Sequence, residues 1–297
     1  MMNSKLRSLK DFLAGQGRLA LVEVAGTRGS TPREKGAFML VSPSATSGTI
    51  GGGQLEYMAI DKARQMVASL PSRKRQGKEA RIEVDEVCAT LDVPLGPEIG
   101  QCCGGRVEVL IRLVDGALAA ELVSAAEAEE AHLPHVYIFG GGHVGQALAS
   151  TIALLPVHGV VIETRAEALE GMPETVETRL TPMPEAEVRN APAGTAFAVL
   201  THDHALDFLI VTEALKRDDA AYVGMIGSKT KKATFRSWFL KSGDGTDAEF
   251  ARLVSPIGGD AVKDKRPPVI AALAAAEIMT ALVIHNAPSN AYFKISA

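Results

Sequence analysis

The sequence predicts an α/β protein in two parts: a doubly wound parallel sheet over residues 135–297, preceded by a smaller α/β domain over residues 1–125. Three observations predict it. Beyond residue 135, short apolar strand-like runs alternate with helical runs, the pattern of βαβ units and a parallel sheet. The chain has 297 residues, and at about 150 residues per domain that suggests two. Between the halves, Ser124 to Pro134 is small, acidic and ends in proline, so residues 126–134 read as a linker. Aromatic residues make up 5% and glycines number 28. That balance suits tightly packed α/β layers better than a sandwich built on aromatic and β-branched side chains.

In chain order, the first half offers strands at Leu19–Val24, Ala37–Val41 and Arg106–Leu113, with a helix at Leu55–Leu70. Glycine-rich loops at 48–53 and 104–105 accompany them. The second half offers strands at Val136–Phe139, Val160–Ile162, Ala196–Leu200 and Tyr222–Ile226. Helical runs follow at Val144–Leu155, 206–217 and 229–241. The most apolar stretch, Val269–Ile284, carries Glu277 and is short for a bilayer, so it reads as a buried helix.

Charge and cysteine usage exclude several classes. Lys plus Arg number 31 against 35 Asp plus Glu, a net charge of −4, unlike the basic footprint of a nucleic-acid binder. The basic run Arg73-Lys74-Arg75 with Lys78 and Arg81 reads as a solvated loop. No long apolar segment follows the N-terminus, so a signal peptide and a membrane anchor are not expected and the setting reads as cytoplasmic. Three cysteines cannot build a disulfide framework. Cys88 reads as a structural core thiol. The adjacent Cys102 and Cys103 stand between glycines, where thiols reach a ligand with little obstruction and suit a soft metal or sulfur transfer.

The remaining motifs point to anions and cofactors. Gly140-Gly-Gly142-His143-Val-Gly145 follows a strand and opens a helix, the G-x-G-x-x-G arrangement of a Rossmann-type dinucleotide fold. Glu163, ending the next strand, stands where a ribose-binding acid is expected. His202, Asp203 and His204 lie at the carboxyl edge of the sheet, where doubly wound folds bind ligands. They read as polar ligand contacts, as turn and capping groups, or as metal ligands. Leu206 and Phe208 break the metallohydrolase spacing. Ser228 and Lys229 open a helix after Gly224–Gly227 and suit an anion, and Ser255–Gly259 is a further turn with backbone N–H groups. In the first half, Ser30 and Arg33 lie in Gly29–Arg33. Gly51, Gly52, Gly53 and Gln54 precede a helix carrying Glu56, an expected backbone anion cradle. Gln101 and Gly104 flank the cysteine pair.

Taken together, GSTPR at 29–33, GTIGGGQLE at 48–56, LGPEIGQCCGG at 95–105, FGGGHVG at 139–145, LTHDHALD at 200–207, GMIGSK at 224–229, SPIG at 255–258 and DKRPPVIA at 264–271 resemble the xanthine dehydrogenase accessory protein family, XdhC, within the XdhC/CoxI group. The resemblance runs over nearly the whole chain. It implies a chaperone rather than a turnover enzyme, one that binds the molybdenum cofactor (molybdopterin) while a cysteine desulfurase installs its terminal sulfido ligand. Delivery to the molybdenum-binding subunit of xanthine dehydrogenase then follows. It also implies more weight for Cys103, as a molybdenum contact, than for Cys102. The family often carries a cysteine where this chain has Gln54, so a thiol from that loop is not expected here. A cofactor cleft between the domains, a nucleotide in the Rossmann pocket and a homodimer are further expectations. The main alternative is an NAD(P)- or FAD-dependent oxidoreductase, with His143 or His202 as its chemical group. A nucleic-acid or signalling adaptor is a third.

Overall fold

The computed structural model describes residues 4–15, 17–69, 88–95 and 104–287. Their contacts divide into two compact units, Ser4–Ala128 and Glu129 onward.

The first unit contains α1 (Ser4–Gly15), β1 (Ala20–Arg28), β2 (Phe38–Val41), β3 (Thr46–Gly48), α2 (Gly53–Ala68), β4 (Cys88–Pro94), β5 (Arg106–Leu113) and α3 (Gly116–Ala131). Its antiparallel sheet runs β3-β2-β1-β5-β4. Alternation along β1 decides which face is which. Ala20, Val22 and Val24 join Leu55, Ala59, Ala63 and Met66 of α2 in one core, while Leu21 turns the other way and meets Leu9 of α1 and Leu118 of α3. The period of two along a strand thus buries both faces of the sheet. A register shift between Val24 and Gly26 re-aims the end of β1.

Two expectations change here. The expected linker is helical through Ala131, because the Ala- and Glu-rich run favours helix and Leu122 and Ala126 pack beside Leu118. Cys88 is an exposed free thiol at the start of β4, not a core thiol. Among the described residues its strand pairs with β5 alone and lies at the edge of the sheet.

The second unit contains β6 (His135–Phe139), α4 (His143–Ile152), β7 (His158–Glu163), β8 (Glu177–Leu180), α5 (Pro184–Asn190), β9 (Ala196–Val199), α6 (His204–Lys216), β10 (Tyr222–Met225), α7 (Lys229–Ser242), α8 (Asp247–Ala251), β11 (Leu253–Val254) and α9 (Pro267–Asn286). The parallel sheet runs β11-β10-β9-β6-β7-β8. Val136 and Ile138 of β6 face Leu148 and Ile152 of α4 and Ile278 and Leu282 of α9. Tyr137 and Phe139 face the opposite layer, with Ile210 of α6 and Phe235 and Phe239 of α7. Chain progress runs outward from β6 to β8, then returns so that β9 pairs with the other side of β6. The switch point of this Rossmann-type sheet therefore lies between β6 and β9, where such folds open a crevice at the carboxyl ends of the strands.

Helix α9 extends beyond the expected 269–284 and is long and apolar enough to cross a membrane by length and composition. It buries one face rather than its whole circumference. Ala271, Ala274, Ala275, Ile278 and Leu282 are buried, while Val283 and Ile284 stand 62% and 69% exposed. Its Glu277 carboxylate accepts hydrogen bonds from the Tyr222 hydroxyl and the Gly258 N–H, each at 2.8 Å. Those two donors account for the acid in an apolar helix, and burial beside it pushes the Tyr222 hydroxyl far above its ordinary pKa.

Candidate functional site

In the first unit, three sequence motifs meet. The loop Gly29–Arg33 follows β1 and lies between the other two. A Cβ at Gly105 would strike the Arg28 and Ser30 carbonyls, and a Cβ at Gly51 would stand 2.6 Å from Pro32 Cγ. Only glycine permits both approaches. Leu95 and the Gly104–Gly105 pair exchange backbone bonds, Gly104 N–H to Leu95 O and Leu95 N–H to Gly105 O, both 2.8 Å. Leu95 is itself buried. The chain leading out of the cysteine motif is therefore pinned to the core at the residue after Cys103. Gln101, Cys102 and Cys103 lie outside the described residues, as does the basic run at 73–81.

Gly52 and Gly104 both have positive φ and open space where a side chain would lie. Helix α2 begins at Gly53 with no side-chain cap from Gly52, and the start of a helix carries the positive end of its dipole. Ser30, Arg33 and Gln54 are exposed around it.

The expected anion cradle is partly filled from within. Glu56 accepts from Thr49 Oγ1 at 2.6 Å, from the Gly52 N–H at 2.9 Å and from the Ile50 N–H at 3.2 Å, while Thr49 Oγ1 takes the Gly51 N–H at 3.1 Å. The carboxylate shapes the glycine turn rather than standing free for a ligand. What remains open to a ligand is the front of Gly52 and the start of α2.

The second unit repeats the device. Gly140 is pressed so close to the end of β9 that an added Cβ would lie 2.6 Å from the Leu200 carbonyl oxygen. Gly142 and His143 are exposed at the start of α4, with open space before Gly142. Glu163 is 4% exposed. Its carboxylate accepts from the Gly141 N–H at 2.9 Å, the Thr164 N–H at 2.7 Å and the Arg165 guanidinium at 3.2 Å. Burial opposes its charge, but Arg165 and the amides of Gly141 and Thr164 outweigh burial and hold its pKa at about 2. An acid placed for a ribose diol is here spent on the glycine loop. The turn at Ala166–Leu169 also closes over Gly141, where a Cβ would clash with the Ala168 carbonyl.

On the other flank of the switch point, Asp203 caps α6 by accepting from the Ala205 and Leu206 N–H groups at 2.8 and 3.3 Å. His202 and His204 are exposed beside it. Among the described residues no group of three His, Cys, Asp or Glu side chains is placed to hold a metal. Ser228 caps α7 through the Lys231 N–H at 3.2 Å, with Lys229 exposed next to it.

One feature escaped the sequence reading. Asp207 and Lys231 form a buried ion pair, their side chains 0% and 7% exposed. Asp207 also accepts from the Thr201 hydroxyl at 2.6 Å and the Thr201 N–H at 3.1 Å, and the Lys231 ammonium donates to the Ile226 carbonyl at 3.0 Å. The loops after β9 and β10 are thereby locked to each other. The available signal was an acid inside the apolar opening of α6 and a lysine three residues past a helix cap.

Comparison with known proteins completes the picture. Residues 136–278 match the family described as the XdhC Rossmann domain, and residues 12–76 match the XdhC and CoxI family. An Escherichia coli K12 protein named "Uncharacterized protein YqeB" is 27% identical over 285 residues, 93% of this chain but 46% of that protein. The chain thus spans just under half the length of that relative. A Bacillus halodurans chain described as a xanthine dehydrogenase (BH1974) superposes with a TM-score of 0.76 at 17% identity, covering 98% of both chains. At that identity the likeness bears on the fold alone. With one family model on each part of the molecule, the chain belongs to the XdhC and CoxI family.

Proposed function

We propose that this protein is an accessory factor for xanthine dehydrogenase that holds the molybdenum cofactor, molybdopterin, during its sulfuration and helps insert it into the enzyme. The observation that carries the reading is the meeting of the Gly29–Arg33, Gly51–Gln54 and Gly104–Gly105 loops. Family membership supports it.

The residues present suit such a group. A flat pterin needs backbone it can approach, which Gly52 and Gly104 offer. A phosphate tail is favoured by the uncapped start of α2 and by Arg33. When bound, the cofactor supplies the molybdenum centre that accepts a sulfido ligand from a cysteine desulfurase. Cys103, with Cys102 beside it, provides a soft thiolate next to the pinned Gly104. Ser30 and Gln54 orient the ligand by hydrogen bonding. In this role the protein catalyses no reaction of its own, works as a homodimer in the cytoplasm, and has the cysteine desulfurase and xanthine dehydrogenase as partners. The oxidoreductase reading loses support at Glu163, whose carboxylate is engaged by Gly141, Thr164 and Arg165.

The test is anaerobic purification followed by assay of bound molybdenum and oxidised pterin. Near-stoichiometric cofactor in the wild type, lost in Cys102→Ala/Cys103→Ala, is the expected result. Wild type that carries no pterin, or a double variant that still binds it and matures xanthine dehydrogenase fully, overturns the reading.

A further inference from the structure

One face of the antiparallel sheet in the first unit changes character along its length. Leu21 of β1 and Leu40 of β2 lie on it in a cluster with α1 and α3. Farther along, the register sets Gly26 opposite Glu108 and Arg28 opposite Arg106 across β1 and β5, while Asp92 of β4 stands on the other side of Glu108. Val107 and Val109 turn to the opposite face, toward α2. Side chains two apart on a strand share a face, so Arg28, Asp92, Arg106 and Glu108 belong together. With Gly26 and Thr27 they border a cavity of about 470 Å³, within the range of small-molecule sites.

The cavity is built into the strands. The register shifts between Val24 and Gly26, and Gly26 brings no side chain, so the Glu108 carboxylate lies over it; an added Cβ would stand 3.3 Å from Glu108 Oε2. The charges on the lining are unequally engaged. Asp92 takes two hydrogen bonds from the Arg106 guanidinium, at 2.6 and 2.7 Å, a fork that fixes the guanidinium plane. Arg28 and Glu108 are diagonal neighbours within reach of long side chains. Yet neither makes a hydrogen bond or ion pair with the other, or with any other described residue. One donor group and one acceptor group thus remain unspent at the same cavity.

The cavity adjoins the loops of the candidate site. Gly29 follows Arg28, Gly105 precedes Arg106, and Gly105 is pressed against the Arg28 carbonyl. From Gly104 to Glu108 the chain covers about 13 Å at strand spacing.

A carboxylate only accepts and a guanidinium only donates. A ligand that satisfies both carries paired N–H donors on one edge and a carbonyl beside them. The 2-amino-4-oxo pyrimidine ring of a pterin has that edge. Its ring N–H and 2-amino group match the two oxygens of a carboxylate, and its 4-oxo group takes a guanidinium N–H, as acids and arginines read base edges. The clamped plane of Arg106 offers a stacking surface for the same ring. In molybdopterin this ring is the end remote from the metal-binding sulfurs and the phosphate. A cofactor whose sulfurs and phosphate sit at the Gly104 loop and the start of α2 therefore directs it along β5 toward Glu108.

We propose that this cavity binds the 2-amino-4-oxo pyrimidine ring of a pterin, with Glu108 accepting from its donor edge and Arg28 donating to its carbonyl. The choice of ring rests on the cofactor reading; the cavity and its unspent groups do not.

The experiment titrates the cofactor-free full chain with pterin and, separately, with lumazine, which carries a carbonyl in place of the 2-amino group. Binding is followed by the fluorescence of the ligands themselves. Saturable pterin binding, about tenfold or more tighter than lumazine binding, is expected. Glu108→Gln should weaken pterin binding about tenfold or more and narrow or reverse the preference, because its NH₂ can donate to the 2-oxo group. Arg28→Gln should weaken both ligands severalfold. Both side chains are exposed, so the variants keep the packing of the sheet, which circular dichroism checks. No saturable pterin binding, equal affinity for the two rings, or an unchanged preference in Glu108→Gln overturns the proposal. The cavity and the cofactor reading fail separately. If wild type and Glu108→Gln co-purify with equal molybdenum and pterin and neither distinguishes the free rings, the cavity assignment falls and the cofactor reading stands. If wild type carries no cofactor yet binds pterin through Glu108, the cofactor reading falls and the cavity assignment stands.

Discussion

Replacing Glu163 by glutamine changes one oxygen for an NH₂ in a side chain that is 4% exposed. The carboxylate accepts from the Gly141 and Thr164 amides and from Arg165. Glutamine keeps one acceptor and turns a donor toward donors. A carboxyl held at about 2 instead of the usual value near 4.5 corresponds to about 3 kcal/mol of folded-state stability. Because Arg165 is 40% exposed and its share is screened, about 2 kcal/mol is the working figure. The sign follows from a depressed pKa. The contribution is complete above pH 4.5 and is lost as pH falls toward 2. The single tryptophan, Trp238, packs against Phe208 and Phe235 and reports unfolding of this unit alone. Urea denaturation followed by its fluorescence should show E163Q less stable by about 2 kcal/mol at pH 7, with the gap narrowing steadily from pH 4.5 downward. Equal stabilities at pH 7, or a gap that stays constant down to pH 3, would refute the assignment of this carboxylate as the clasp of the glycine loop.

Two further outcomes are expected. Lys231→Met leaves Asp207 buried without its counter-ion and should cost about 3–5 kcal/mol, whereas Asp207→Leu/Lys231→Met should recover most of that loss, both read by urea denaturation. Glu56→Ala removes the acceptor of three hydrogen bonds and should destabilise the first unit by about 2 kcal/mol. Hydrogen exchange at Ile50 and Gly52 should rise far more than at Val22 in the core of β1; uniform acceleration would show that Glu56 does not act on the loop.

The sheet of the second unit was legible because its central strands are continuous apolar runs, such as Val136–Phe139, each closed by glycine or a polar turn. Edge strands were not. Thr46–Gly48 is three residues long, Glu177–Leu180 alternates charge with apolar residues, and Leu253–Val254 is a dipeptide whose pairing depends on β10 already being in place. The last turns of α3, from residue 126 on, read as a linker in the sequence because the apolar residues there are alanines, which mark no face. At the sites, residue types and positions could be read, but directions could not. Glu56 and Glu163 stand in the expected places and turn inward, since spacing along the chain does not specify which donors a carboxylate meets. Asp207 and Lys231 are far apart in sequence, and only the juxtaposition of two loops makes them a pair.

The inward carboxylates also bear on how a bound molecule would leave. Glu56 and Glu163 keep their loops in shape without a ligand, so departure requires no refolding, and the lifetime of a complex is set by its contacts alone. In the first unit the fixed negative charge of Glu56 behind the loop further opposes an incoming anion by about 1 kcal/mol at close range in water-like surroundings, whereas the charge of Glu163 is offset by Arg165. Carried entirely in the off-rate, that shortens a complex's lifetime about fivefold. A loop of this construction can release what it holds without first losing its own shape.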